Sequence, residues 1–158
     1  MVYSVDGRVG IDFTGVSSTF SDTLGNTYGA SDSSQLIYVK AASAIPFASS
    51  YVTINEDFEA IAGTKAAVDD GHQVGIAPAS AIASGQYFYA YLRGHPNLRV
   101  ATLCAADVPL FTTATAGLLD DTSTTAQTKI DGLVLVTAMT TGSGVRECIA
   151  TWPRSSTF

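Results

Sequence analysis

The feature that most constrains the fold is a stretch of alternating side chains between Gly85 and Gly94. Every second residue from 87 to 91 is a tyrosine, and the residues between and after them are also apolar. Because a strand points successive side chains to opposite faces, both faces of this strand are apolar. The sequence therefore predicts that this strand is covered on both faces. The second face holds Phe88, Ala90 and Leu92.

The rest of the chain after residue 34 reads as short strands separated by turns. β-Branched and aromatic residues dominate these segments, and glycines separate them, which is typical of strands in barrels and sandwiches. A hairpin loop is predicted at residues 139–144, one turn of helix at 64–70, and no internal repeat. The sequence therefore predicts an all-β domain with little helix, either a compact barrel or a sandwich. The predicted strands cover residues 36–40, 51–54, 58–61, 73–77, 86–93, 99–104, 109–113, 130–138 and 145–152.

Residues 1–34 differ in composition from residues 35–158. Small polar residues and glycine dominate residues 16–34, and the apolar residues there are isolated. Such a pattern indicates an extended arm or a set of loops. The predicted organisation is an N-terminal arm over residues 1–34 and one β-barrel-like domain over residues 35–158, which fits the usual size of a single domain.

Composition excludes several classes of function. Charged residues make up 14% of the 158 residues, and the net charge is −6. A protein that neutralises phosphates needs the opposite balance, so no nucleic-acid partner is predicted. The chain has no apolar stretch long enough to span a bilayer and starts without the pattern of a signal peptide, so no membrane contact is expected.

The residues that usually carry chemistry are few and scattered. Both histidines, His72 and His95, lie in predicted turns, and the acidic pairs, including residues 120–121, lack the alternating spacing of a calcium loop. No nucleotide-binding or nucleophile motif is present. Cys104 and Cys148 fit two buried thiols, with one disulfide as the alternative. We predict no catalytic, cofactor-binding or metal-binding residue, and no enzyme activity.

The tyrosine row allows three interpretations. The rings could pack inside the fold beneath a loop, form an interface with a partner or a second copy, or bind a sugar. The isolated aromatic residues of the arm could anchor it on a neighbour. The candidate interface residues are Tyr3, Phe13 and Phe20 for contact with a partner, and Tyr87, Tyr89 and Tyr91 for self-association.

Several segments of the chain resemble the small head decoration, or cement, proteins of tailed bacteriophages. They comprise residues 36–41, residues 73–77 continuing through 81–94, residues 109–117, and the closing residues 130–132 and 151–153. The resemblance covers about residues 35–153 and leaves the arm outside. It implies a compact β-barrel-like domain, often with an extended terminal arm, and it carries over no active-site residue.

The function implied by that resemblance is structural. Such a protein binds the outer face of the capsid and bridges major capsid protein subunits, as a homo-oligomer that is commonly a trimer and sometimes a dimer. The expected location is the outer surface of the virion, after synthesis in the host cytoplasm. The alternatives are a tail or fibre component of the virion, or a carbohydrate-binding module.

Overall fold

A computed structural model describes residues 12–66, 72–78, 80–124 and 127–156. These residues form twelve strands joined in one mixed sheet, and none of them is helical, which confirms the all-β prediction. The described part of the chain has no helix that could cross a membrane. The strands are β1 (Val16–Ser17), β2 (Thr27–Gly29), β3 (Gln35–Ala41), β4 (Tyr51–Ile54), β5 (Glu59–Ala62), β6 (Gln73–Ile76), β7 (Tyr87–Gly94), β8 (Asn97–Val100), β9 (Leu110–Thr112), β10 (Leu119–Asp120), β11 (Lys129–Leu135) and β12 (Gly144–Ser156).

Ten of these strands close into two rings, each built from one uninterrupted stretch of chain. In the first ring the order is β3-β5-β4-β6-β7, and β7 returns to pair with β3. In the second ring the order is β8-β10-β9-β11-β12, and β12 returns to pair with β8. Each ring contains one parallel pair, between its first and third strands, and the other pairs are antiparallel. The two rings therefore share one topology.

The parallel pair shows how closely the rings correspond. Ala41 pairs with Ala60 in the first ring, and 59 positions later Val100 pairs with Leu119 in the second. The next residue along each first strand donates its N–H to the carbonyl oxygen of that third-strand residue, at 3.0 Å in the first ring and 2.9 Å in the second. The correspondence thus extends to single hydrogen bonds.

Other backbone features recur at nearly the same spacing. Ile82 donates its N–H to the carbonyl oxygen of Ile45 at 2.9 Å, and Met139 does the same to Cys104 at 2.8 Å. Positive φ angles also recur at corresponding positions, where few residue types are comfortable. They are found at Ser49 and Asp107 (56° and 57°), Phe58 and Gly117 (58° and 71°), and Gly94 and Trp152 (122° and 53°). The prediction of no internal repeat is wrong, because the repeat lies in the backbone and the side chains at matching positions differ.

Each ring has its own apolar interior. The first encloses a cluster from β3, β4, β5 and β7 and from the loops after β3 and β6, including Ile45, Phe88 and Leu92. The second encloses a cluster that includes Leu98, Leu133 and Cys148, and this cluster continues onto the outer side of β4 and β6. The long strand β12 also pairs with β6 and β7. Shared apolar contacts and shared hydrogen bonds therefore hold the two rings together.

Most predicted strands match observed ones within one or two residues, with three exceptions. β8 lies at Asn97–Val100 rather than at residues 99–104, because the chain turns after Val100. β11 ends at Leu135 rather than at 138. β12 runs four residues beyond the predicted end, through a bulge opposite Gly132. Of the predicted helical turn at 64–70, residues 67–70 lie outside the described residues, and 64–66 are not helical.

Candidate interaction surfaces

The tyrosine row of β7 lies on the outside of the first ring, beneath another layer of the same chain. Tyr89 is buried, whereas Tyr87 and Tyr91 are half-buried. Burial raises the pKa of Tyr91, with a smaller contribution from the nearby carboxylates of Asp32 and Asp12. Of the three interpretations from the sequence, packing of the tyrosine side chains beneath another part of the chain agrees with the structure.

The layer that covers the row is formed by residues 12–34. β1 pairs with β7, and β2 pairs with β3, so this segment is joined to the ring by strand pairing. Phe13 is fully buried, with its ring centroid 5.0 Å from that of Tyr89 and 6.0 Å from that of Tyr28. The Phe13–Tyr89 pair is edge-to-face and the Phe13–Tyr28 pair is tilted, and aromatic contacts at such distances stabilise a cluster. The described part of the predicted arm therefore packs against its own domain.

The residues predicted as anchors for a partner have different fates. Tyr3 lies outside the described residues. Phe13 is buried and is therefore not available to a partner. Its ring packs in the same cluster as Tyr89 of the tyrosine row, which provides the apolar contacts that its own segment lacks. Phe20 is 55% exposed and packs edge-on against Tyr87, with the centroids 5.5 Å apart. Of these anchors, Phe20 alone has been located with its side chain available to a partner.

No described residues form such a layer over the corresponding face of the second ring. Positions 145, 147 and 149 of β12 correspond to the three tyrosines of β7, as the matched pairings of β7 with β3 and of β12 with β8 show. Five apolar side chains lie along the outside of β11 and β12, and we call this surface the open face. Its members are Val134 (half-buried), Val136 (41% exposed), Val145 (39%), Ile149 (37%) and Trp152 (44%).

The register of the β11–β12 hairpin makes the open face continuous. Val134 is paired with Ile149, and the N–H of Val136 donates to the carbonyl oxygen of Glu147 at 3.0 Å. Side chains opposite one another on the same face of an antiparallel pair lie in contact distance. The apolar residues therefore form one strip, with Glu147 as the charged residue within it.

A bulge adds Trp152 to this strip. The register of β11 with β12 shifts at Gly132, so that two successive residues of β12, Thr151 and Trp152, are both exposed. Gly132 has φ +80°, and a Cβ at this position would lie 2.7 Å from the carbonyl oxygen of Thr151. The position of the first ring that matches Trp152 is Gly94, where a Cβ would lie 2.2 Å from the hydroxyl oxygen of Ser34. At this position the first ring has a glycine packed against Ser34 of the covering segment, whereas the second ring has an exposed tryptophan.

Glu147, the charged residue within the open face, is paired with His95. Nδ1 of His95 is 3.2 Å from a carboxylate oxygen of Glu147, and both side chains are more than half exposed. His95 and Asp32 also line two shallow cavities of about 220 and 260 Å³. An exposed pair of this kind contributes little to stability and stays solvated. It is typical of an exposed polar pair on a protein surface.

The two cysteines are free, buried thiols in the second ring. Burial raises the pKa of Cys104 to about 11 and that of Cys148 to about 12. Both therefore remain protonated at neutral pH in the absence of a metal ion. Cys104 lies beside the carboxylates of Asp120 and Asp121, a grouping that the sequence does not reveal because residues 16 positions apart meet only through the pairing of β8 with β10.

No protein-family model and no curated protein matches this chain.

Proposed function

We propose that this chain is a structural protein of a virion, which binds the outer surface of the capsid and bridges neighbouring major capsid protein subunits. The observation that carries the proposal is the open face of the second ring. In the first ring the corresponding face is covered by the chain's own residues 12–34. An apolar strip that is covered in one ring, and that the described residues leave exposed in the other, is suited to contact with another molecule.

The energetic case rests on side chains that are exposed before contact. Burying an apolar side chain contributes about 1.5–3 kcal/mol for a residue the size of isoleucine. Trp152 is of the residue type that most often dominates the affinity of an interface. The low share of charged residues lowers the cost of removing water from the surrounding surface, and the net charge of −6 opposes association between free copies.

The capsid as the partner rests on the resemblance of residues 35–153 to decoration proteins. Such a protein needs a rigid body and several contacts, because bridging subunits multiplies weak single contacts through effective concentration. Two rings joined by β12 provide a rigid body. We expect a homo-oligomer, with a trimer favoured over a dimer.

The direct test uses heads of the encoding virus produced without this protein. Purified chain is added to expanded heads, and occupancy is measured by sedimentation. The double variant Ile149→Thr with Trp152→Asn should bind about 30-fold more weakly or worse, since each residue contributes about 1 kcal/mol or more at the centre of an interface. Threonine suits an exposed strand, and asparagine tolerates the positive φ of position 152, so both changes spare the fold.

Leu103→Asn is the matched control, because Leu103 is 69% exposed and has a positive φ but does not belong to the open face. Its occupancy should remain close to that of the unchanged chain. Equal losses for both variants would contradict the assignment of the open face, and no binding by the unchanged chain would refute the capsid proposal. Native mass spectrometry of the free protein separates a trimer from a dimer or a monomer.

A carbohydrate-binding module is the second candidate, favoured by the exposed indole of Trp152. Sugars stack on an aromatic ring, whereas a protein interface also buries the neighbouring aliphatic residues. Loss of glycan-array binding in Trp152→Asn with full binding in Ile149→Thr would support this candidate over a capsid contact. Cryo-electron microscopy of intact particles distinguishes a head protein from a tail or fibre component.

A further inference from the structure

Three side chains that commonly bind metal ions meet at one end of the second ring. They belong to Cys104, Asp120 and Asp121, and one ligand atom from each lies within 4.8 Å of the other two. The thiol is fully buried, and the two carboxylates are half-buried. The group therefore has an interior side, formed by sulfur, and a side that water can reach.

The backbone holds these residues in place. Ala101 donates its N–H to the carbonyl oxygen of Leu119 at 2.9 Å, which ties the turn after β8 to β10. Ala105 donates its N–H to Oδ2 of Asp121, also at 2.9 Å. The carbonyl oxygen of Cys104 accepts a hydrogen bond from the N–H of Met139. Ligands that the fold already positions bind a metal with less loss of conformational freedom.

The first ring shows that the fold does not require polar groups here. The residues that correspond to Cys104, Asp120 and Asp121 are Ile45, Ile61 and Ala62. Ile45 is fully buried in the interior of its ring. All three positions carry apolar side chains in the first ring and possible metal-binding side chains in the second. Packing alone therefore does not account for the thiol and the two carboxylates of the second ring.

The group has no cation to balance it among the described residues. No described lysine, arginine or histidine forms an ion pair with Asp120 or Asp121, and no described side chain forms a hydrogen bond with Sγ of Cys104. The backbone N–H of Asp121 does face the sulfur, and it favours the thiolate form. Buried polar groups and grouped charges normally have partners. The partners of these three groups are backbone N–H groups and one another, so no described positive charge offsets the two adjacent carboxylates and the thiol.

We propose that Cys104, Asp120 and Asp121 bind a zinc-class divalent ion, with solvent completing the coordination. Zinc takes thiolate and carboxylate ligands together, whereas calcium and magnesium take oxygen ligands. Tetrahedral zinc places sulfur and oxygen ligands about 3.6 Å apart, given its bond lengths of about 2.3 and 2.1 Å. Separations of up to 4.8 Å need only small side-chain rotations to reach that value.

Binding releases one proton and involves no redox change. The thiol loses its proton to solvent as the metal–sulfur bond forms, and the carboxylates bind as anions. The metal ion then supplies the positive charge that the surrounding residues do not. The site is independent of the open face and stands whether or not the chain binds a capsid.

Cobalt(II) is the probe, because a cobalt–thiolate bond gives a charge-transfer band in the near ultraviolet. Full-length protein is stripped with a chelator and titrated with Co²⁺, then with Zn²⁺. We expect one equivalent of Co²⁺ to produce the band and Zn²⁺ to remove it. Cys104→Ala should abolish the band, while Cys148→Ala, which changes the other buried thiol, should retain it. Asp121→Asn should weaken Co²⁺ binding roughly tenfold or more, because it removes an anionic ligand.

Absence of the band in the unchanged chain, or its survival in Cys104→Ala, would overturn the proposal. Circular dichroism checks that each variant is folded. If Cys104→Ala does not fold, the double variant Asp120→Asn with Asp121→Asn takes its place, since those groups are only half-buried. Unchanged Co²⁺ affinity in that double variant would also overturn the proposal.

Discussion

The two rings share one strand topology but differ in what covers their outer faces. The first carries aromatic residues on the outside of β3 and β7, and residues 12–34 cover them. The second carries aliphatic residues and Trp152 on the corresponding outside, and no described residue covers them as residues 12–34 cover the first ring. Since both interiors are filled by their own strands, the outer layer is not needed to close a ring. The difference is the basis for our proposal that other molecules contact the second ring, whereas the first is covered by its own chain.

The contrast between the two rings would be wrong if residues 12–34 did not fold together with the first ring. Phe13→Ala removes a fully buried ring from the aromatic cluster and should lower the free energy of unfolding by about 3–5 kcal/mol. Phe20→Ala, in the same segment but exposed, should cost less than about 1 kcal/mol. Urea denaturation measures both, and similar small values would mean that the segment is dispensable.

The bulge that turns Trp152 outward is tested at Gly132. Gly132→Ala should cost about 3 kcal/mol, because the positive φ costs about 1–2 kcal/mol and the new Cβ meets a carbonyl oxygen. Gly142→Ala is the control, since it has a positive φ but open space around it, and should cost about 1 kcal/mol. Thermal melts followed by circular dichroism give the ranking, and equal losses would show that the bulge is free to relax.

Trp152 itself should be expendable for folding. It holds a positive φ of 53° where the first ring has a glycine. Trp152→Asn should leave the free energy of unfolding unchanged or raise it by up to about 1 kcal/mol, because asparagine adopts this conformation more readily. A loss above about 2 kcal/mol in urea would show that the indole belongs to the core and not to an interaction surface.

The smallest expected effect concerns Asp120 in protein kept free of metal by a chelator. Burial, and then a hydrogen bond with the Asp121 side chain, raises the pKa of Asp120 above 3.8 in the folded state. The folded state therefore binds the proton more tightly, and stability falls as the pH rises from 3.8 through the folded-state pKa. Asp120→Asn removes this penalty and should raise stability at pH 7 by less than about 1 kcal/mol.

That gain should disappear below about pH 3.8, where Asp120 is protonated in both states. Saturating Zn²⁺ should reverse the order at pH 7, since it stabilises the unchanged chain more than the variant. Denaturation curves across pH, with and without Zn²⁺, measure both effects. A gain that is the same at every pH would contradict the assigned cause.

How much the sequence could predict depended on strand length. Alternation predicted β3, β4 and β7 well, because four to eight residues define a period of two. It missed β1, β2 and β10, which have only two or three residues and depend on their partners for existence. The repeat was hidden for a related reason: matching positions share a backbone role but not a residue type, as Ile45 and Cys104 illustrate.

The surfaces follow the same rule. The alternation in residues 145–152 already places Val145 and Ile149 on one side, so part of the open face could be predicted. Trp152 joins it only through the bulge, which depends on pairing with Gly132. The group of Cys104, Asp120 and Asp121 could not be predicted from the sequence. These residues come together only because the two-residue strand β10 pairs with β8. The tyrosine row was identified, but its covering layer was not, because the aromatic residues of residues 12–34 have no regular spacing.

Because each ring uses one uninterrupted stretch of chain, a ribosome completes the first before it starts the second. At roughly 5–20 residues per second, the 62 residues from Gly94 to Ser156 take roughly 3–12 s to emerge. Through that interval the outer side of β4 and β6, with Tyr51, Val74 and Ile76, has no second ring against it. If the first ring folds during synthesis, this apolar surface is exposed until the second ring is complete, and neighbouring nascent chains on a polysome can contact one another through it.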